Sequence, residues 1–237
     1  MFPIETDQKA DFQRDGYRIF DSVFSSKEVA AMIEILESNV EGEGVRRKSD
    51  VYAVRNLLEI APELRRLPED PRICSIVEPI LGAEYFVVRS LLFDKIPGAN
   101  WKVGWHQDRT ITVRKRIVAP GFGSWSTKAG IQHVQAPVNV LENMLALRIH
   151  LDDCGSENGP LRILPGSHRS GILTDEGIKH WSSTVSPFIC SVQAGGILAL
   201  RPLLLHASSP AQTPAHRRVI HLELASEKLP GGLEWNA

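Results

Sequence analysis

The apolar positions along the chain change their period near residue 84. Before it, Val29, Ala30, Met32, Ile33 and Leu36 recur at helical spacing, which predicts an amphipathic helix over 26–36 capped by Ser25 or Ser26. Asp70-Pro71 is an N-cap followed by proline in the first turn, and Gly82 stands just past Leu81, so a second helix is predicted over 71–81. Residues 1–83 therefore read as a helical part. After Glu84 short apolar runs alternate with Gly, Pro and Asn, and strands are predicted at 85–93, 144–151, 161–164, 188–192, 197–205 and 217–224. The stretch 108–143, rich in Gly, Ala and basic residues, reads as a long loop of the kind that closes over a site. Helices first and strands afterwards predict a mainly β chain with flanking α helices, the sheet region closing into a sandwich or barrel.

Composition bounds the rest. At 237 residues the chain suits one domain, 1–237, with the helical part ahead of a sheet core at 84–225. Apolar residues at 43% and charged residues at 23% exclude a disordered or fibrous chain. Lys+Arg 27 against Asp+Glu 28, net −1, gives no field to recruit nucleic acid or an anionic membrane, so neither partner is expected. The local basic runs, Arg46-Arg47-Lys48 and Arg114-Lys115-Arg116 with Arg109, read as solvated loop faces. Cys74, Cys154 and Cys190 form no CxxC pair and leave an odd count, which fits a reducing compartment. With no signal-like segment and no apolar run of membrane length, a cytoplasmic protein is expected. The sequence carries no signal for oligomeric state.

The chemistry-bearing segment is Gly104-Trp105-His106-Gln107-Asp108. Residues two apart in an extended segment point the same way, so His106 and Asp108 present an imidazole and a carboxylate on one face. An iron(II) oxygenase site needs two imidazoles and one carboxylate on one face of an octahedron. The third ligand must come from elsewhere, and His206 closes the apolar run Leu203-Leu204-Leu205. Arg217 follows eleven residues later, and a guanidinium on a rigid strand grips a carboxylate with two parallel hydrogen bonds. Ser208 adds a hydroxyl donor to the same carboxylate.

HxD, a distant His, then Arg after eleven residues resembles the phytanoyl-CoA dioxygenase family of iron(II)- and 2-oxoglutarate-dependent oxygenases. The run Leu151-Asp152-Asp153 to Glu157-Asn158-Gly159-Pro160-Leu161, followed by Pro165-Gly166-Ser167-His168, is similar to that family's signature. The resemblance implies a double-stranded β-helix, the cupin-like jelly roll. It implies His106, Asp108 and His206 as iron(II) ligands, and Arg217 with Ser208 on the distal carboxylate of 2-oxoglutarate. It further implies O2 as co-substrate, release of succinate and CO2, and hydroxylation of an unactivated C–H bond of a small-molecule substrate. Halogenating relatives replace the ligand carboxylate with a small residue, so Asp108 favours hydroxylation or desaturation. By the same resemblance Trp125 is a candidate aromatic wall for the co-substrate. Arg148 and His150, on one face with Asp152, depart from the family pattern and line either the barrel interior or a solvated sheet face. Two other readings of the ligand set stay open: a metal-binding jelly roll without turnover, and a zinc hydrolase.

Overall fold

The structure, a computed structural model, describes residues 6–38, 40–48 and 50–236. Its strands in chain order are β1 (Tyr17–Phe20), β2 (Val45–Arg47), β3 (Val51–Arg55), β4 (Phe86–Asp94), β5 (Val103–His106), β6 (Thr110–Val113) and β7 (Gly123–Lys128). They continue as β8 (Ile131–Gln135), β9 (Met144–His150), β10 (Leu161–Ile163), β11 (Phe188–Cys190), β12 (Ile197–Leu200), β13 (His206–Ser208) and β14 (Arg218–Ala225). Three antiparallel sheets result, ordered β1-β12-β9-β14-β4-β3-β2, β11-β10-β13-β5 and β6-β8-β7. The first two are the walls of a jelly roll.

Helices cover the outer face of the large sheet. The helix Ser26–Glu37 starts at a capping box: Ser25 Oγ accepts from Glu28 N–H at 3.3 Å, and the Glu28 carboxylate accepts from Ser25 N–H at 2.8 Å. Losing such a cap costs about 1 kcal/mol. The helix Pro71–Leu81 begins where Asp70 accepts from Arg72 N–H at 2.9 Å and ends at Gly82. Arg72 also pairs with Glu28 at 2.7 Å, tying the two helix starts together. Val29, Met32 and Leu36 from one, and Ile73, Ile76 and Val77 from the other, pack on Leu145, Leu147, Ile149, Ile220, Leu222 and Leu224 of the sheet.

Strand periodicity then separates core from site. β9 is buried along its whole length: Leu145, Leu147 and Ile149 meet the helices, and the alternate residues Arg148 and His150 turn into the barrel. β14 does the same, sending Ile220, Leu222 and Leu224 outward and His221 and Glu223 inward. The interior reading of Arg148 and His150 is the one realised, since both are buried, at 8% and 3% exposure.

Three expectations need correction. Residues 1–83 are not only helical: β3 pairs with β4, and β1 with β12, because the Tyr17–Phe20 run finds a partner 183 residues away in sequence (Tyr17 opposite Leu200). Segment 108–143 is not a bare loop but holds the sheet β6-β8-β7 and a short helix, Val138–Glu142. Its β7 strand, GSWSTK, has one exposed polar edge, which hid the two-residue period. The predicted strand 197–205 breaks at Leu200. Pro202 has no N–H for a ladder, and the chain turns there, with Leu204 N–H donating to Arg201 O at 3.0 Å, before entering the other sheet as β13. Gly195 opens β12 at φ +83, where a Cβ would lie 2.1 Å from Phe24 O; only glycine fits. His168 closes the PGSH turn by donating to Gln13 O at 3.1 Å. Among the described residues, no helix is long and apolar enough to cross a membrane.

Burial, with Arg148 and Arg217 nearby, pushes the His150 imidazole down to about 3. Below pH 6.5 the unfolded chain binds a proton that this buried ring refuses, so stability falls as pH drops from about 6.5 towards 3. Replacing His150 with Leu is expected to flatten the slope of unfolding free energy between pH 6 and 4 by about 1 kcal/mol per pH unit. Urea unfolding at fixed pH measures this, and parallel slopes would assign the acid sensitivity elsewhere.

Candidate metal centre

β5 and β13 pair antiparallel with His206 directly opposite His106, and their ring centroids are 4.2 Å apart. Asp108, two residues past the end of the pairing, turns back to the same point because its N–H donates to Pro202 O at 2.9 Å. Its Oδ2 is 3.5 Å from His206 Nε2 and its Oδ1 is 3.8 Å from His106 Nε2. One donor atom from each of the three residues lies within 4.8 Å of the others.

Both rings are held in the tautomer a metal needs. His106 Nδ1 lies 2.9 Å from Gly104 O and His206 Nδ1 lies 2.8 Å from Leu204 O. A carbonyl can only accept, so each Nδ1 carries the proton and each Nε2 turns a lone pair inward. Burial alone would raise Asp108, but His206, His221, His106 and Arg89 outweigh it and hold the carboxyl at about 2. Burial lowers His206 to about 4. At neutral pH the set therefore includes a carboxylate and a neutral His206 imidazole, donors that fit a divalent cation of the iron or zinc type.

The neighbouring signature residues brace this point. Ser167 Oγ accepts from Leu205 N–H at 2.9 Å, fixing the residue before His206. Gln107 points away from the triad, donating to Gly171 O and Leu203 O at 2.8 Å each and accepting from Leu173 N–H at 2.9 Å. Gly159, at φ +60, would place a Cβ 2.5 Å from Ser209 O, and its carbonyl accepts from Arg217 Nη1. Asp152 takes the other arginine: Arg218 donates to it from N, Nε and Nη2 at 2.7, 3.0 and 2.9 Å. Arg218 is thus fully engaged, whereas Arg217 lines the triad cavity with its buried Nε unpartnered.

Ser208 also lines this cavity of about 120 Å³. Two groups that the sequence did not flag bear on it, one bonded to a lining residue and one lining it directly. Lys95 Nζ donates to Ser208 Oγ at 3.2 Å and to Ser209 O, and Trp101 forms an aromatic wall. Neither stands in a recognisable motif; each arrives through β4 or the turn after it. Trp125 does not take that place. It packs among the second cluster of core residues under the Arg116 guanidinium, 5.5 Å from its ring centroid, and lines neither this cavity nor the one beside it. Arg148 Nη1 faces His221 Nδ1 at 3.4 Å, His221 Nε2 donates to Glu223 at 3.2 Å, and Glu223 pairs with Arg89. Asp108, His221 and Glu223 also cluster closely enough for a metal, but Arg89 already neutralises Glu223.

Comparison with known proteins bears on this arrangement. The family model described as Phytanoyl-CoA dioxygenase (PhyH) matches residues 12–219. The chain belongs to the phytanoyl-CoA dioxygenase family. It is 30% identical to the ectoine dioxygenase of Bordetella parapertussis over 179 residues, 71% of this chain and 51% of that protein. It is 26% identical to the L-proline trans-4-hydroxylase of Streptomyces griseoviridis over 91% of this chain and 84% of that one. The chain spans about half the length of the ectoine dioxygenases it matches. In fold it is similar to EctD from S. alaskensis with 2-oxoglutarate and 5-hydroxyectoine, with a TM-score of 0.75, 21% identity and coverage of 94% of this chain and 77% of that one. This family member therefore has the jelly roll that its signature implied.

Replacing Gln107 with Leu would leave the carbonyls of Gly171 and Leu203 and the N–H of Leu173 unpaired, and is expected to cost about 2 kcal/mol of stability. Chemical denaturation measures it; a change within a few tenths of a kcal/mol would show that water replaces all three bonds.

Proposed function

We propose that this chain is a non-haem iron(II)- and 2-oxoglutarate-dependent dioxygenase that hydroxylates an unactivated C–H bond of a small molecule. The observation that carries it is the pairing of two unlike halves in one cavity: a His106/Asp108/His206 donor set, and a buried Arg217 whose Nε has no partner. The iron(II) and 2-oxoglutarate of the family fit them respectively. Burial, then the neighbouring charges of Arg217 and Arg148, lowers the Lys95 ammonium to about 8; Arg217 and Arg148 line the cavity, and an incoming carboxylate would relieve their mutual repulsion.

Each residue then has a task. His106, Asp108 and His206 would hold iron(II) from one side. Iron(II) held there would supply the redox chemistry that couples 2-oxo acid and dioxygen to C–H oxidation. The net change is R–H + O2 + 2-oxoglutarate giving R–OH + succinate + CO2. Arg217 and Ser208 would orient the distal carboxylate, Ser208 steadied by Lys95, with Trp101 closing the side. Arg148, positioned by His221 and Glu223, presents a donor to whatever occupies the cavity. The ectoine dioxygenases and L-proline trans-4-hydroxylase similar to this chain support a small-molecule substrate. The three cysteines, all free, support a reducing, cytoplasmic setting. Against a zinc hydrolase, a second carboxylate receptor beside the metal would have no use.

The test is anaerobic addition of iron(II) and then 2-oxoglutarate to the metal-free protein. A weak visible charge-transfer band is expected, and its absence with iron bound would remove the proposal. His206→Ala should lose iron binding with the circular dichroism spectrum unchanged, and iron retained at wild-type affinity would relocate the centre. Arg217→Ala should raise KM for 2-oxoglutarate at least about tenfold, about 1.4 kcal/mol, while leaving iron affinity in place; an unchanged KM would remove Arg217 as the receptor of the carboxylate.

A further inference from the structure

Beside the triad cavity lies a larger one of about 670 Å³. Arg89, Leu91, Phe93 and Trp101 line both, so the two meet along one edge. The far wall carries Arg46, Lys48, Arg55 and Lys128. No acidic side chain stands among its described lining residues. Only Arg89 has a counter-ion, Glu223; Arg46, Lys48, Arg55 and Lys128 form no ion pair among the described residues. Lys48 Nζ donates to Gly98 O at 2.7 Å, which holds its ammonium on the pocket wall.

These charges are close enough to feel one another. Burial lowers Arg55, and Arg46 and Arg89 lower it further. Burial likewise brings His133, on the same wall, to about 4, with Arg89, Lys128 and Arg55 adding to the effect and Glu223 opposing it. Uncompensated like charges around one concavity are unfavourable in the empty protein and focus a positive potential on its contents. On a chain of net charge −1 this concentration is local, and an anion relieves it. The rest of the wall is of another kind: Tyr52 and Trp101 stand as a tilted pair, centroids 6.1 Å apart, with Leu91 and Phe93 at the edge shared with the triad cavity.

We propose that this pocket binds the primary substrate and selects a small organic molecule bearing a multiply charged oxyanion, a phosphate or a set of carboxylates. The inference rests on the dioxygenase reading for what happens at the triad, and on the pocket alone for what is bound. The oxyanion is held by Arg46, Lys48, Arg55 and Lys128. The less polar body lies along Leu91, Phe93 and Trp101, and the carbon nearest that edge faces the metal centre. Arg89, at the junction and tied to Glu223, sets the depth to which the anionic end enters.

Titration calorimetry on the metal-free protein, without 2-oxoglutarate, tests the pocket apart from the reaction. Inorganic pyrophosphate and citrate are the probes, standing for phosphate and polycarboxylate. Binding is expected, weakened at least about tenfold, about 1.4 kcal/mol, in Arg46→Glu/Lys128→Glu. Both replaced side chains are exposed; the milder Arg46→Gln/Lys128→Gln serves should the reversal disturb folding, as read by circular dichroism. Arg217→Ala should leave the affinity unchanged. Tighter pyrophosphate names a phosphorylated substrate, and tighter citrate a polycarboxylate. No binding of either probe, or weakening in Arg217→Ala and not in the pocket variants, overturns the proposal. Because neither iron nor 2-oxoglutarate is present, such a failure leaves the dioxygenase reading standing, and a missing charge-transfer band leaves the binding result standing.

Discussion

The antiparallel pairing of β5 with β13 is the contact on which the site depends. It sets His106 opposite His206, two residues a hundred positions apart in the chain, and places their rings side by side. Everything nearby keeps that register from slipping. Ser167 holds the backbone at Leu205, Gln107 ties the HxD turn to residues 171, 173 and 203, and Pro202 receives the Asp108 N–H. A slip of one residue would turn His206 to the other face of its strand, and the three donors would no longer share a point.

The second constraint is what the barrel encloses. The outer face of β9 and β14 is a hydrocarbon surface under two capped helices, and that packing fixes the inner face as buried too. The inner positions carry Arg148, His150, His221 and Glu223. Buried charge is tolerated where it is paired: Arg89 with Glu223, His221 between Glu223 and Arg148, Arg218 with Asp152. The exceptions are therefore informative. Arg217 lines the cavity with its Nε unpartnered, as do Arg89 and Arg148, and Arg46, Lys48, Arg55 and Lys128 of the neighbouring pocket form no ion pair among the described residues. Structural ion pairing accounts for the first group, whereas the second is the set we propose to meet a ligand.

The signature segments do mechanical work at one remove from the chemistry. Asp152 engages Arg218 and so leaves Arg217 as the arginine facing the cavity. Gly159, in a conformation only glycine adopts readily, lets the chain after Ser208 pass closely while its carbonyl holds Arg217. The turn at residues 165–168 is closed by His168 against Gln13 and supports Leu205. A guanidinium and an imidazole are thus positioned by residues that do not line the cavity.

The sequence alone determined what depends on local order. The two helix starts and the stop at Gly82 rest on caps within one turn of the residues they serve, and the HxD pair rests on the two-residue alternation of an extended segment. The strands β4, β9, β10, β11 and β14, the choice of His206 as partner and the jelly-roll expectation also came from the chain, the last through its family signature. Only the tertiary structure decided what depends on distant partners. It joined Tyr17–Phe20 to β12, folded segment 108–143 into a sheet, and broke the run 197–205 so that His206 entered the opposite wall. It put Trp101 at the cavity in place of Trp125, set Lys95 against Ser208, assigned Arg217 to the cavity and Arg218 to Asp152, and gathered Arg46, Arg55 and Lys128 around one pocket. Caps and alternation are short-range and leave a mark in the sequence. Which side chains converge across a barrel is set by strand register and sheet closure, and no local pattern encodes it.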